Sequence, residues 1–214
     1  MFLNIANNKA QAIAAKIIMD GGIVVIPTDT VYGIFCDAEN KNAIERIYKI
    51  KERDISKNLI VMSNDISHFS KIAQISEIEE DILLKFLPGD YTFVLNLLSN
   101  GKKFIHLNAM QKDIAIRIPK NDFILKLIEK TGRFLYSTSA NLSGKAASSV
   151  FKNVDESIKN TVDLCVHDDN KIEKESSILI DIKEISDDLS YTILRNEHRA
   201  KKFIDYIKRI ADSF

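Results

Sequence analysis

A chain of 214 residues, 45% apolar and 28% charged, has the length and composition of one ordinary globular domain with a core large enough to need no disulfide or metal staple. Seven Gly, three Pro and two Cys exclude collagen-like, disordered and disulfide-scaffold architectures. Thirty Lys and Arg balance thirty Asp and Glu, so anion binding has to come from a local cluster and not from an overall basic excess.

No apolar run approaches the ~18 residues of a membrane span, and Ile23-Val24-Val25-Ile26 is too short for a signal-peptide core. The chain is read as cytoplasmic, with no membrane partner. Cys36 and Cys165 form no CxxC pair and are expected to be reduced, semi-buried thiols. The four histidines show no zinc spacing, and no protein metal site is expected.

Asn7 or Asn8 is placed to cap a first helix, in which Ile13, Ala14, Ile17 and Ile18 recur at helical spacing before Gly21-Gly22 stops it. Ile23–Ile26 is a β-branched buried strand ended by Pro27, and Thr28–Gly33 follows as a polar loop. Ile44, Ile47, Tyr48 and Lys51 lie along a second helix, and Leu59–Met62 is a second buried strand. Strand, helix and strand of this length predict a βαβ-like unit with parallel strands. Asp65 can cap the next helix; Ile78, Ile82, Leu83, Phe86 and Leu87 mark another, broken by Pro88-Gly89. Strands are expected over Thr92–Leu98, Ile114–Ile118, Phe134–Tyr136 and near 162–166, 178–182 and 191–194. Helices are expected from Phe123 to Gly132 and over about 198–212. The fold class is α/β: a single-domain open twisted mixed sheet flanked by helices, occupying 1–214.

Three features carry chemistry. The Thr28–Gly33 loop follows a buried strand, where backbone groups run out of ladder partners and ligands collect; the hydroxyls of Thr28, Thr30 and Tyr32 fit a small polar substrate, or equally a hydroxyl-bonded turn. Lys51-Glu52-Arg53, with Lys57 beyond, ends a helix. Its cations suit the helix dipole, or clamp a polyphosphate through the arginine fork. Arg117 shares one strand face with Ala115, opposite the isoleucines, and a half-buried guanidinium needs an anion, internal or bound. The Ser137–Gly144 loop adds a dense set of hydroxyls. GxxxxGK[ST] and GxGxxG are both missing.

Taken in order, Pro27-Thr28-Asp29-Thr30-Val31-Tyr32-Gly33-Ile34, Lys51-Glu52-Arg53, Pro88-Gly89-Asp90-Tyr91-Thr92, Arg117-Ile118-Pro119 and Ser139-Ala140-Asn141-Leu142-Ser143-Gly144 resemble the YrdC-like family of threonylcarbamoyl-AMP synthases, over about residues 5–196. The resemblance implies a YrdC/RibB-like fold with a basic concave site. It implies an enzyme, a nucleotidyltransferase that forms threonylcarbamoyl-AMP and pyrophosphate from L-threonine, bicarbonate and ATP, with Mg²⁺ held mainly by ATP phosphates. The product then serves tRNA modification through threonylcarbamoyl-transfer proteins. By the same resemblance Thr28, Thr30, Arg117, Ser137 and Ser177 would contact threonine, and Lys51, Arg53, Lys57, Ser139, Asn141, Ser143 and Arg195 the nucleotide. Lys51 and Arg53 would be catalytic, and Thr92 belongs to the motif turn. Asp54, Asn58, Met62, Asp90, Asn196 and Glu197 depart from the family pattern. They keep open a non-catalytic RNA-binding paralogue of the same fold. Longer family members carry a further C-terminal domain, for which 214 residues are expected to leave no room.

Overall fold

The computed structural model describes residues 1–106, 111–170, 172–185 and 189–212. Among them ten strands join one sheet: β1 (Phe2–Asn4), β2 (Val24–Pro27), β3 (Tyr32–Asp37), β4 (Ile60–Met62), β5 (Tyr91–Asn96), β6 (Asp113–Arg117), β7 (Leu135–Ser139), β8 (Leu164–His167), β9 (Ile178–Asp181) and β10 (Thr192–Arg195). Their spatial order is β1-β8-β2-β3-β7-β4-β6-β5-β9-β10. Pairs β1–β8, β2–β8, β4–β6 and β5–β9 are parallel and the rest antiparallel, so the sheet is open and mixed, as expected. Six helices flank it: α1 (Ala10–Met19), α2 (Lys41–Ile50), α3 (Glu77–Phe86), α4 (Asp122–Thr131), α5 (Glu156–Thr161) and α6 (Lys201–Ala211).

The period-two alternation of each strand sorts side chains between two faces. One face sends Ile34, Val61, Tyr136, Phe93, Ile114, Ile116 and Ile180 into the main core, covered by α2, α3, α5 and α6. The other face is divided. At one end Phe35, Met62 and Leu135 pack against Ala14 and Ile18 of α1 and Leu127 and Ile128 of α4. Toward the other end the same face carries Ser137, Ala115 and Arg117, which no helix covers, and there the sheet makes a cleft.

The expected βαβ unit is corrected. The strand that α2 connects to β4 is β3, which forms a hairpin with β2 through the turn 28–31, so Tyr32 and Gly33 lie in a strand and not in the polar loop. Since β2, β3, β7 and β4 are antiparallel in succession, β4 runs opposite to β2; β3 and β4 run the same way with β7 between them. The hairpin was hidden because Gly33 interrupts the β pattern and the threonines read as loop. Elements β1 and α5 were also unforeseen, being only three and six residues long. Lys9, not Asn7 or Asn8, precedes α1 as its cap residue, and the Asn7 side chain instead accepts the Lys9 N–H at 2.9 Å. Asp65 does cap, its carboxylate accepting the Ser67 N–H of a short 3₁₀ turn. Cys36 and Cys165 are unpaired and buried, and burial pushes both thiols up.

Helix α2 ends in a way that matters for the site. Glu52 sits in the left-handed region at φ 49°, its N–H reaching the Lys49 carbonyl while the Arg53 N–H reaches that of Tyr48 at 2.9 Å. This is the paired-bond helix stop in which glycine is favoured at the left-handed position. Glu52→Gly is therefore expected to stabilise the chain by about 0.5–1 kcal/mol, a rise in Tm of roughly 1–4 °C by thermal unfolding. An unchanged or lower Tm would contradict the strain at Glu52.

Candidate active site

A cleft of about 310 Å³ opens on the uncovered sheet face. It gathers Thr28 and Thr30 from the β2–β3 turn, Arg53 from beyond α2, Arg117 from β6, Ser137 and Ser139 from β7, Ser177 before β9 and Arg195 from β10. Eight of the twelve expected threonine and nucleotide contacts thus converge, from segments up to 167 positions apart. Lys51, Lys57, Asn141 and Ser143 do not line it.

Arg117 is buried and spends its fork on three partners. Nε donates to the Gly89 carbonyl at 3.1 Å, Nη1 to Thr30 Oγ1 at 3.1 Å and Nη2 to Asp29 Oδ1 at 2.7 Å. The buried guanidinium has therefore found an internal anion, and Asp29, whose other oxygen accepts the Lys120 N–H at 3.0 Å, is a site residue that sequence reading left out. Its signal was present: an acid between two threonines in a motif loop, and an arginine in need of a carboxylate. Burial holds Arg117 below the usual arginine range and Asp29 opposes that shift. Each Nη carries one further N–H beyond these bonds.

The turn residues divide the labour. Thr28 Oγ1 donates to the Val31 carbonyl at 2.7 Å and accepts the Thr30 N–H at 3.0 Å, so Thr30 is the hydroxyl donor in the 3.0 Å contact between the two. Thr28 thus shapes the turn and Thr30 faces Arg117. On the opposite wall Ser177 Oγ lies 2.8 Å from Thr92 Oγ1 and accepts Arg195 Nη2 at 2.8 Å, while Arg195 Nε donates to the Ser177 carbonyl. Thr92 acts behind Ser177, without lining the cleft. Burial, then repulsion from Arg117 and Arg53, lowers Arg195 from the usual range. A guanidinium repelled by two others across one cleft favours a bound anion.

Arg53 anchors its Nε on the Lys57 carbonyl at 3.2 Å and one Nη on the Asn58 carbonyl at 2.9 Å, and its other Nη has no hydrogen-bond partner among the described residues. Lys57 contributes that carbonyl, and its exposed side chain lies away from the cleft. Lys51 is almost wholly buried, at 1% exposure. Its ammonium donates to the Ser139 carbonyl, to the Asn141 carbonyl at 2.5 Å and to Asn141 Oδ1 at 3.3 Å. Its backbone carbonyl accepts the Ser143 N–H, and Asn141 Nδ2 closes the loop on the Leu142 and Lys145 carbonyls. Desolvation, then repulsion from Arg53, brings the Lys51 ammonium down to about 7. The expected free point charge is thus a loop-holding cation, and Asn141 and Ser143 are parts of the loop it holds.

The departures from the family pattern fall at informative places. Asp54 accepts the Ser56 N–H at 2.8 Å outside the cleft, so its charge closes a turn. Asp90 pairs with Arg199, and Asn196, in the left-handed region, donates to the Ser176 carbonyl. Met62 forms part of the floor beside Arg117, its register partner in β6. Asn58 Nδ2 donates to Asp113 Oδ1 at 2.7 Å. With Asp181, Asp113 puts a carboxylate pair at the far end of the cleft, a feature no sequence signal announced.

An open mixed sheet with hydroxyls and guanidiniums converging on one concave face defines an α/β protein whose cleft is complementary to small polar anions. The chain belongs to the Sua5/YciO/YrdC family, whose model, described as "Telomere recombination", matches residues 16–196. It is 28% identical over 195 residues to the uncharacterized protein YciO of Escherichia coli K12, covering 89% of this chain and 91% of that one. It is 35% identical over 152 residues to a putative threonylcarbamoyl-AMP synthase of Methanocaldococcus jannaschii, 71% of this chain and 70% of that one. Among solved structures, P. abyssi Sua5 complexed with L-threonine matches at a TM-score of 0.78 and 27% identity, and E. coli YciO at 0.77 and 26%. The Sua5 match covers 91% of this chain and 57% of the Sua5 chain; the YciO match covers 92% and 93%.

Proposed function

We propose that this chain is a threonylcarbamoyl-AMP synthase that condenses L-threonine, bicarbonate and ATP, with release of pyrophosphate and water, and supplies its product for threonylcarbamoyladenosine modification of tRNA through downstream transfer proteins. The observation that carries the reading is the convergence of Thr30, Ser137, Ser139 and Ser177 with Arg53, Arg117 and Arg195 in one cleft. The names of the relatives and the threonine bound to Sua5 point the same way.

The chemical problem is to trap a fragile carbamate where it forms. Threonine's neutral amine attacks the bicarbonate carbon, a C–N bond forms, and the departing hydroxide leaves as water. A carbamate oxygen then attacks the α-phosphorus as the bond to the β-phosphate oxygen breaks and pyrophosphate departs. No side-chain nucleophile takes part; the chain contributes position and charge. Arg117 receives the threonine carboxylate on its two remaining N–H groups, beside Thr30. Arg195 and the unpaired Nη of Arg53 face the phosphates and offset the charge gathering on pyrophosphate, each worth roughly 2–4 kcal/mol of transition-state stabilisation. Lys51 works at one remove, keeping the Ser139–Ser143 loop in shape.

The cleft does not make a magnesium cage. Among the described residues no group of three or more His, Cys, Asp or Glu is placed to hold a metal, and the two carboxylates of the cleft, Asp113 and Asp181, are both paired with Lys183. Magnesium arriving with ATP would be carried by phosphate oxygens and water.

The decisive experiment is pyrophosphate release from ATP with threonine and bicarbonate each left out in turn. Omission of either is expected to abolish the signal, and release that is indifferent to threonine would refute the assignment.

A further inference from the structure

Arg53 stands beyond the end of α2, in a stretch, 51–59, that contains neither helix nor strand. A long side chain on such a base loses its direction unless other groups fix it. Its fork rests on two consecutive carbonyls, Nε on Lys57 and Nη2 on Asn58, so whatever holds those carbonyls also aims Arg53. Two side chains hold them from opposite flanks. Tyr48, in the last turn of α2, donates its hydroxyl to the Lys57 carbonyl at 3.0 Å, the same oxygen that receives Arg53 Nε. The Tyr48 carbonyl also accepts the Arg53 N–H at 2.9 Å, so this one residue fixes both the base of Arg53 and the surface its side chain lies on. On the other flank, Asn58 Nδ2 donates to Asp113 Oδ1 at 2.7 Å, and Lys183 holds Asp113 in turn at 2.9 Å. Between the flanks, the Lys57 N–H closes the turn on the Asp54 carbonyl at 3.1 Å.

The Tyr48 ring packs against the main core, and its hydroxyl is a separate device laid on that packing. Burial raises the phenol from its usual value while Arg53 opposes the shift, so the hydroxyl keeps the proton it donates at neutral pH. We propose that Tyr48 and Asn58 are positioning residues for Arg53: together they set the carbonyl pair that occupies Nε and Nη2 and leaves Nη1 for the phosphates of ATP. This rests on the synthase reading and deepens it, because a charge stabilises a transition state only when its direction is fixed beforehand. Tyr48 stands outside the cleft and touches no ligand there; its effect passes through one carbonyl oxygen to one guanidinium.

The test is a double-mutant cycle read by threonine-dependent pyrophosphate release, on the full chain, with Tyr48→Phe, Arg53→Ala and the two combined. Tyr48→Phe keeps the packed ring and removes only the hydroxyl. It is expected to lower kcat by roughly 3- to 10-fold, the range of one hydrogen bond, and to leave the threonine KM within about twofold. Arg53→Ala is expected to lower kcat by roughly 30-fold or more. The combined variant should be no slower than Arg53→Ala alone, because without the guanidinium Tyr48 has nothing left to aim. A merely structural Tyr48 would instead multiply its own loss onto that of Arg53→Ala and raise the threonine KM with it; that result overturns the proposal. So does a wild-type kcat in Tyr48→Phe, and either leaves the synthase reading intact. A wild type without threonine-dependent release overturns the synthase reading and this role with it. Asn58→Ala, run through the same cycle, decides the matter from the other flank should Tyr48→Phe not fold.

Discussion

Arg117→Met is expected to abolish pyrophosphate release and to cost about 3–5 kcal/mol of stability. The arginine is 3% exposed, and its removal breaks a buried ion pair, leaving Asp29 without its countercharge and the Gly89 carbonyl and Thr30 hydroxyl without their donor. Two effects are combined in that number, and a second variant separates them. The double change Asp29→Asn with Arg117→Gln removes both charges, so most of the stability should return, whereas turnover should not, because the fork for the threonine carboxylate is gone. Arg117→Lys keeps the charge and loses the fork, and should raise the threonine KM more than it alters the fold. Urea unfolding and pyrophosphate release on the same preparations give both readouts. If Arg117→Met kept wild-type turnover, Arg117 would be only a structural partner of Asp29.

Lys51→Met is expected to lower turnover by roughly 100-fold or more, in line with losses of a preorganised charged contact, even though Lys51 does not line the cleft. Without the ammonium, the carbonyls of Ser139 and Asn141 are left facing each other around an apolar chain, and the loop that presents Ser139 relaxes. The same lysine gives a pH signature with a definite sign. Its value falls from 10.5 to about 7 on folding. Below 7 both states carry the proton, and the folded chain bears the full cost of a buried ammonium with no carboxylate partner among the described residues. Between 7 and 10.5 the unfolded chain holds a proton that the folded chain has released. Stability of the wild type relative to Lys51→Met should therefore rise with pH across that window, by at most about 1.4 kcal/mol per pH unit. Denaturant unfolding of both proteins at several pH values measures this. A difference that stays flat from pH 7 to 10 would show that Lys51 keeps its charge throughout.

These two cations also show how far a sequence carries. The Lys51-Glu52-Arg53 tripeptide at a helix end was visible, and so was its double meaning as helix-dipole partner or phosphate clamp. What separated Lys51 from Arg53 is the left-handed Glu52, which turns one side chain into the protein and the other toward the cleft. Arg117 was placed correctly on the strand face of Ala115, because alternation is a local rule. Its demand for an anion was legible too, but whether Asp29 or a ligand met it was a question about a contact 88 positions away.

Motif order, the alternation of β6 and the helix-breaking Pro88-Gly89 are properties of neighbouring residues, and they were enough to identify the family. The carboxylate pair at the far end of the cleft, the hairpin partner of β2 and the burial of Lys51 are set by which strands lie side by side and in what register. Those pairings join residues far apart in the chain, are selected by the burial of both sheet faces together, and leave no trace in local spacing.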